Sequence, residues 1–323
     1  MIIKEAQKPR KIKKLEVLLL RTPESLPQRD ILNSMLNREL AGYEGELQLQ
    51  YYLNFLTEKD YHLLHHIRLK DDNGYFQMDA ILVTKFYILI MDSKYWTGHI
   101  TIDNHFKQYI QLNKGVTQVY SDPVLQISLQ EKRLKRWLKK MKYPTLPVKS
   151  LVVFTNRNVH LETQTPPNNY PFLNRVIKTP ELIMKIDNFH HMYQMEILTN
   201  KELNKLTKTL CIKNVPEDPD YLSILDISPN IIIKGIRCEH CHMYAMKRYK
   251  GKWYCPHCKN RSSTAHHTTL QEYSFLYGNK ITNKQLRNFL LIGSTSVAHK
   301  LLSSMDLPQT GPKQRTIYHL PIN

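Results

Sequence analysis

The sequence predicts an α/β fold with two small accessory modules, and three observations predict it. Short apolar runs rich in Ile, Leu and Val, at Ala80–Thr84 and Tyr87–Met91, alternate with segments whose apolar residues recur every three or four positions. Two Cys-x-x-Cys pairs, Cys238/Cys241 and Cys255/Cys258, stand close together in the second half. Beyond them a capped short helix, a glycine turn and a second helix pattern follow in order.

The 323 residues suffice for two or three domains, each with an adequate core. A formal net charge of +18, spread along the chain, makes polyanions the expected partners. Nucleic acid is favoured over a membrane surface, because no amphipathic anchor, lipidation signal or apolar stretch of about 20 residues is present. The brief N-terminal apolar run is too short for a signal-peptide core. Five cysteines, four of them in close pairs, agree with a reducing compartment and a metal, hence a cytoplasmic address.

Taken in order, Lys8–Lys14 is basic and Leu15–Leu20 mostly apolar, which reads as an edge element covering the central sheet; a phosphate-binding arm is the alternative. Ser34–Leu56 predicts a helix with Leu36, Leu40, Tyr43, Leu47, Tyr51 and Phe55 as its apolar stripe and Glu46 and Gln50 on another face. Tyr61–Leu69 predicts a strand and Asp71–Gly74 a turn. Gly98–Asp103 alternates as a third strand would. Asp122-Pro123 opens a helix to Met141, with Leu125, Leu129, Leu134, Trp137, Leu138 and Met141 as its stripe and a run of Lys and Arg mostly off it. That run is a solvated face or a contact to a nucleic-acid backbone. Val148–Thr155 reads as a buried strand completing an α/β/α core, and residues 156–175 as loop. Thr179–Ile186 and Asn200–Leu210 read as helices, and Val215–Pro219 as a boundary.

The chemistry concentrates in Gln77–Trp96, a hairpin of two buried strands. Asp79 enters the first strand and Asp92 leaves the second, so antiparallel pairing sets them side by side. Alternation then puts Lys94 on the face of Asp92. Two neighbouring carboxylates suit Mg²⁺ or Mn²⁺, and a lysine beside such a metal can orient a water and offset charge on a pentavalent phosphate. Strand ends often carry charge, so a solvated Asp92/Lys94 pair of no chemical consequence is the competing reading.

Asp79 followed by Asp92-Ser93-Lys94 resembles the signature of the PD-(D/E)XK nuclease superfamily. Gly42-Tyr43-Glu44-Gly45-Glu46 upstream and Lys94-Tyr95-Trp96-Thr97-Gly98-His99-Ile100 downstream are similar to the nuclease-related domain, NERD, over roughly residues 38–145. The resemblance implies a restriction-endonuclease-like mixed sheet flanked by helices. It implies Asp79 and Asp92 as ligands of catalytic Mg²⁺ or Mn²⁺, Lys94 as the catalytic lysine, Glu46 as the helix acid and Gln126 as a further site residue. Asp92 stands where glutamate is commoner, and Met78 where the superfamily name has proline.

The two cysteine pairs, separated by aromatic and basic residues, look like a zinc ribbon in which Cys238, Cys241, Cys255 and Cys258 hold a structural Zn²⁺. Free thiols, or His240, His242 and His257 as substitute ligands, are the alternatives. Thr282 to Leu290, the turn Ile292-Gly293-Ser294 and Thr295 to Ser303 resemble a helix-turn-helix, winged if Thr316–Leu320 returns as a strand after the basic turn Gly311–Arg315. The expected division is 1–35 (basic segment), 36–215 (nuclease-like domain), 216–264 (zinc ribbon region) and 265–323 (DNA-binding tail). The function expected is a Mg²⁺-dependent deoxyribonuclease, with RNA as a further candidate partner. The alternative is a non-catalytic DNA-binding or regulatory protein on a nuclease-like scaffold.

Overall fold

The computed structural model describes residues 1–56, 61–163, 172–244, 246–312 and 315–321. Strand β1 (Ile2–Lys4) and helices α1 (Arg10–Arg21) and α2 (Arg29–Leu53) precede an antiparallel run of β2 (His62–Asp71), β3 (Gly74–Val83) and β4 (Ile88–Lys94). Strands β5 (Gly98–Asp103), β6 (Gln108–Asn113) and β7 (Val116–Ser121) lead to α3 (Pro123–Lys140), β8 (Val148–Phe154), β9 (Val159–Thr163), β10 (Val176–Lys178), α4 (Leu182–Met192) and α5 (Asn200–Ile212). Then follow α6 (Tyr221–Ile224), β11 (Lys247–Tyr249), β12 (Lys252–Tyr254), β13 (Arg261–Ser262), α7 (Ala265–Tyr277), β14 (Lys280–Thr282), α8 (Asn283–Leu290), α9 (Thr295–Ser304), β15 (Gln309–Thr310) and β16 (Ile317–His319). These residues form two compact units, 1–9 with 38–217 and 10–37 with 218–323. No helix among the described residues is long and apolar enough to cross a membrane.

The first unit is built on a mixed six-stranded sheet of order β1-β2-β3-β4-β8-β10, antiparallel through β2, β3 and β4 and parallel elsewhere. Strands β4 and β8 are buried from end to end in their apolar stretches, as central strands covered on both faces must be. One face packs Ile81, Val83, Ile88 and Ile90 against Val124, Ile127, Leu134 and Trp137 of α3 and Leu203, Leu206 and Leu210 of α5. The other packs Leu82, Leu89, Met91 and Val153 against Leu49 and Leu53 of α2 and Leu182 and Ile186 of α4. Each such fully buried aliphatic side chain contributes about 1.5–3 kcal/mol relative to exposure. The α/β/α layering expected from sequence is therefore present.

Three local expectations are corrected. On α2 the expected stripe is wrong, since Tyr51 and Phe55 are more than half exposed while Gly45, Glu46, Leu49 and Leu53 are buried. On α3, Leu125 and Leu129 face solvent, and Val124 and Ile127 take their place in the core. The strand expected at Gly98–Asp103 is present as β5 and belongs to a second sheet, β7-β6-β5-β9. Segment 156–175 contributes β9, so it is not all loop; residues 164–171 lie outside the described residues.

The second unit gathers α1, α7, α8 and α9 around Leu15, Leu18, Leu270, Phe289, Leu290, Leu301 and Leu302. Helix α1 belongs here, where the expectation was a cover for the central sheet. Its last residue explains why: Arg21 is wholly buried, its guanidinium 2.5 Å from Glu272 of α7, donating at 2.7 Å to the Ile233 carbonyl and stacked over the rings of Phe289 and Tyr244. A buried guanidinium is tolerated only with such partners, and these all lie in this unit. After α7 the order is strand, two helices and two strands, with β16 pairing antiparallel to both β14 and β15. Of the turn Gly311–Arg315, Lys313 and Gln314 lie outside the described residues.

Candidate functional site

Register brings the acidic residues together. Ala80 pairs with Met91 across the hairpin, so Asp79 and Asp92 are the next opposed positions. The backbone N–H of Ser93 donates to Asp79 Oδ2 at 2.9 Å and its hydroxyl at 3.2 Å, which fixes one carboxylate oxygen of Asp79. Asp92 is 7 % exposed, with Oδ2 2.7 Å from Lys94 Nζ, and Lys94 Nζ donates to Gln126 Oε1 at 3.4 Å. Gln126 sits in the first turn of α3, whose start is fixed by Asp122 accepting from the Val124 N–H at 2.7 Å and by Pro123. Asp79, Asp92, Lys94 and Gln126 therefore meet at one edge of the sheet.

Burial is the main cause pushing the Asp92 carboxyl up, to about 6; the neighbouring Asp79 adds to it and Lys94 opposes it. Burial works against the Lys94 ammonium too, yet Asp92 and then Asp79 outweigh it and hold its pKa above the ordinary lysine value. Two hard carboxylates, one of them pushed up partly by the other, form a donor set that a small divalent cation would relieve, so the residues fit Mg²⁺ or Mn²⁺.

Glu46 reaches this region by another route. A Cβ on Gly45 would lie 3.0 Å from Tyr95 Cβ and 3.1 Å from Thr155 Oγ1, so glycine lets α2 approach the ends of β4 and β8 this closely without displacing them. The same helix face then buries Glu46, whose Oε2 is 2.6 Å from His66 Nε2. His66 is in the left-handed region at φ 52°, within β2, while the register to β3 is the same on either side of it. Asp79, Asp92 and Glu46 do not form a three-acid ligand group among the described residues. Sequence reading missed Ser93 and His66. Ser93 was legible as the middle of Asp-Ser-Lys, whereas nothing in the sequence announces the left-handed conformation of His66 or its contact with Glu46.

The second cluster is the cysteine set. All four Sγ atoms lie within 4.8 Å of one another, with Cys238 to Cys258 at 3.6 Å and Cys241 to Cys255 at 3.5 Å. Tetrahedral Zn–S bonds of about 2.3 Å require sulfurs roughly 3.8 Å apart, so the set fits Zn²⁺. Each knuckle closes alike: the residue after its second cysteine, His242 or Lys259, has φ near 60° and donates its N–H at 2.9 Å to the carbonyl of the first. Burial raises the Cys238 thiol, but the N–H groups of Cys241 and His240 outweigh it and bring the thiol down to about 6. Cys241 is pushed up to about 12: the Met243 N–H favours its thiolate, but burial and the other three thiols prevail. The Cys238 and Cys241 thiols are thus pushed in opposite directions, and a cation among the sulfurs would favour both as thiolates.

On α9, Thr295, Ser296, His299, Lys300 and Ser303 are exposed while Ala298, Leu301 and Leu302 are buried. Between Lys234 and Arg315 only Glu239, Glu272 and Asp306 are acidic, so this stretch of the chain is strongly cationic.

No curated protein and no solved structure matches the chain. Residues 41–155 match the family model described as the nuclease-related domain, NERD. That span begins on α2 and ends just past β8, and it holds Glu46, Asp79, Asp92, Lys94 and Gln126. The chain thus carries a nuclease-related domain over residues 41–155, at the sheet edge where two carboxylates and a lysine converge.

Proposed function

We propose that this protein is a metal-dependent deoxyribonuclease. The observation that carries the reading is the Asp92/Lys94 pair, 2.7 Å apart and almost buried beside Asp79. A solvated surface pair has no need of burial, and burial costs stability that a catalytic site repays in function. Asp79 and Asp92 would hold Mg²⁺ or Mn²⁺, which when bound supplies Lewis-acid stabilisation to a phosphate oxygen and a more acidic water.

The chain's own groups do the rest. Ser93 holds Asp79 by two hydrogen bonds and leaves its other oxygen for a ligand. Lys94 offsets the charge that builds on the phosphate and orients the attacking water, and Gln126 positions the Lys94 ammonium. Glu46, paired with His66, acts through a water molecule. Zinc in the second unit serves folding, and α9 with its basic surroundings holds DNA as the second helix of a winged helix-turn-helix.

The test is cleavage of supercoiled plasmid and linear single-stranded DNA with Mg²⁺, Mn²⁺ or chelator, beside Lys94→Ala. Metal-dependent cutting that the variant loses, with DNA binding retained, is expected. Absence of cutting under every metal, with salt-sensitive DNA binding intact, would replace this reading by a non-catalytic DNA-binding protein.

A further inference from the structure

The zinc-ribbon sheet carries a face that the proposed nuclease chemistry does not use. Register sets Lys247 opposite Tyr254 and Tyr254 opposite Arg261, with Tyr249 opposite Lys252. Alternation places these five side chains on one face and Arg248, Trp253 and Ser262 on the other. Trp253 is 1 % exposed and donates Nε1–H to His266 Nδ1 at 3.1 Å, which turns that second face into the core. The first face therefore looks outward: Lys247, Tyr249, Lys252 and Arg261 are exposed, Tyr249 by 56 %, and Tyr254 is half-buried.

The face joins aromatic rings to positive charge. Lys250 and Gly251, at φ 44° and 82°, form the tight turn between β11 and β12, and the turn sets Lys250 Nζ 5.5 Å from the Tyr249 ring centre. Lys259 and Arg261 lie 5.9 and 6.0 Å from that of Tyr254. Such distances are the outer limit of a cation–π contact, so the cations lie over the rings only loosely and a base can displace them. From Lys247 to Arg261 there are six Lys or Arg and no acid. Tyr249 and Tyr254 are diagonal neighbours on adjacent strands, roughly 7–8 Å apart by sheet geometry.

The geometry points to a binding platform for single-stranded nucleic acid, with one base stacked on Tyr249, a neighbouring base on Tyr254, and the intervening phosphates on Lys247, Lys252 and Arg261. A duplex would meet only the cations, because its bases are already stacked on one another. An unpaired strand can offer base faces and backbone charge at once. This deepens the nuclease reading by naming the strandedness of its substrate, but it rests on binding and is tested by binding, so cleavage can fail without touching it.

The experiment uses the full-length, zinc-loaded protein and fluorescein-labelled oligo-dT, oligo-U and a duplex of equal length, at fixed salt. Preference for the single strands is expected. Tyr249→Ala and Tyr254→Ala should each weaken oligo-dT about five- to tenfold while Tyr249→Phe stays near the parent, since the ring and not the hydroxyl is used. Oligo-dT bound better than oligo-U assigns the site to DNA, and the reverse to RNA. A second measurement covers variants that fold badly: photo-crosslinking of the unsubstituted protein to an iododeoxyuridine oligonucleotide, with crosslinks expected at Tyr249 or Tyr254. Alanine variants that bind like the parent, or crosslinks confined to other parts of the chain, would overturn the platform.

Discussion

The edge formed by Asp79, Asp92 and Lys94 and the cluster of four cysteines both gather potential metal ligands in partly buried surroundings, yet they are built in opposite ways. The cysteines close on themselves, every sulfur within 4.8 Å of every other, and two of them belong to the core of their unit. The carboxylates are two where a closed site would need four ligands, and a lysine stands among them. A set that encloses its cation can hold a fold, and one that leaves positions open can hold a substrate. The comparison teaches that, on the proposed reading, the closed set serves structure in one unit and the open set chemistry in the other.

Breaking the closed set should give the largest effect. Structural zinc contributes on the order of 10 kcal/mol to the folding of small sites. Chelation, or Cys255→Ser, is expected to unfold the ribbon and expose Trp253, read by tryptophan fluorescence and zinc content. An unchanged spectrum after complete zinc loss would show that the cysteines are not what holds this module.

Breaking the open set should leave the fold and remove the activity. Asn in place of Asp79 can still accept from the Ser93 N–H and hydroxyl, so Asp79→Asn is expected to alter stability by less than about 1 kcal/mol. Cleavage should fall by about 10²-fold or more, because the metal loses a charged ligand. Urea unfolding and cleavage rates measured on one preparation decide it. A variant that cuts normally would remove Asp79 from the site.

A pH titration sharpens the contrast with a group that serves neither set. His65 is wholly buried in β2, and among the described residues neither ring nitrogen has a hydrogen-bond partner. Burial, then the nearby His66 and Lys4, lowers its pKa to about 4 from an ordinary 6.5. The unfolded chain binds a proton at the higher value, so His65 costs nothing above pH 6.5 and destabilises progressively as pH falls towards 4, with no further change below. The loss amounts to about 3 kcal/mol at most. His65→Leu should flatten that acid limb in unfolding curves taken between pH 7 and 4; an unaltered limb would mean that other groups carry it.

How much of this was readable in advance depended on whether the signal was local. The hairpin, Asp79 beside Asp92 and Lys94 on the same face follow from strand alternation alone. The start of α8 was legible in Thr282, which does cap it, and Gln285 completes a capping box there. The sheet β7-β6-β5-β9 had a local signal that went unread: Lys114-Gly115, both at positive φ, between two alternating segments. Long-range choices were not readable. Nothing in Arg10–Arg21 says that Arg21 will meet Glu272, which lies 251 residues away, and nothing in α2 ranks Tyr51 and Phe55 below Gly45.

That last choice yields the smallest effect and the sharpest one. Alanine exceeds glycine in helix propensity by about 1 kcal/mol, so a glycine-to-alanine change on α2 stabilises wherever space allows. Nothing lies within 4 Å of a Cβ at Gly42, and Gly42→Ala should raise stability by up to about 1 kcal/mol. At Gly45 the new methyl would stand 3.0 Å from Tyr95 Cβ and 3.1 Å from Thr155 Oγ1, and overpacking there costs about 1–3 kcal/mol. Gly45→Ala should therefore lower stability, and the two substitutions, three residues apart on one helix, should carry opposite signs in the same urea series. Equal gains at both positions would mean that α2 does not press against the strand ends at Gly45, and the argument that carries Glu46 towards the carboxylate edge would go with it.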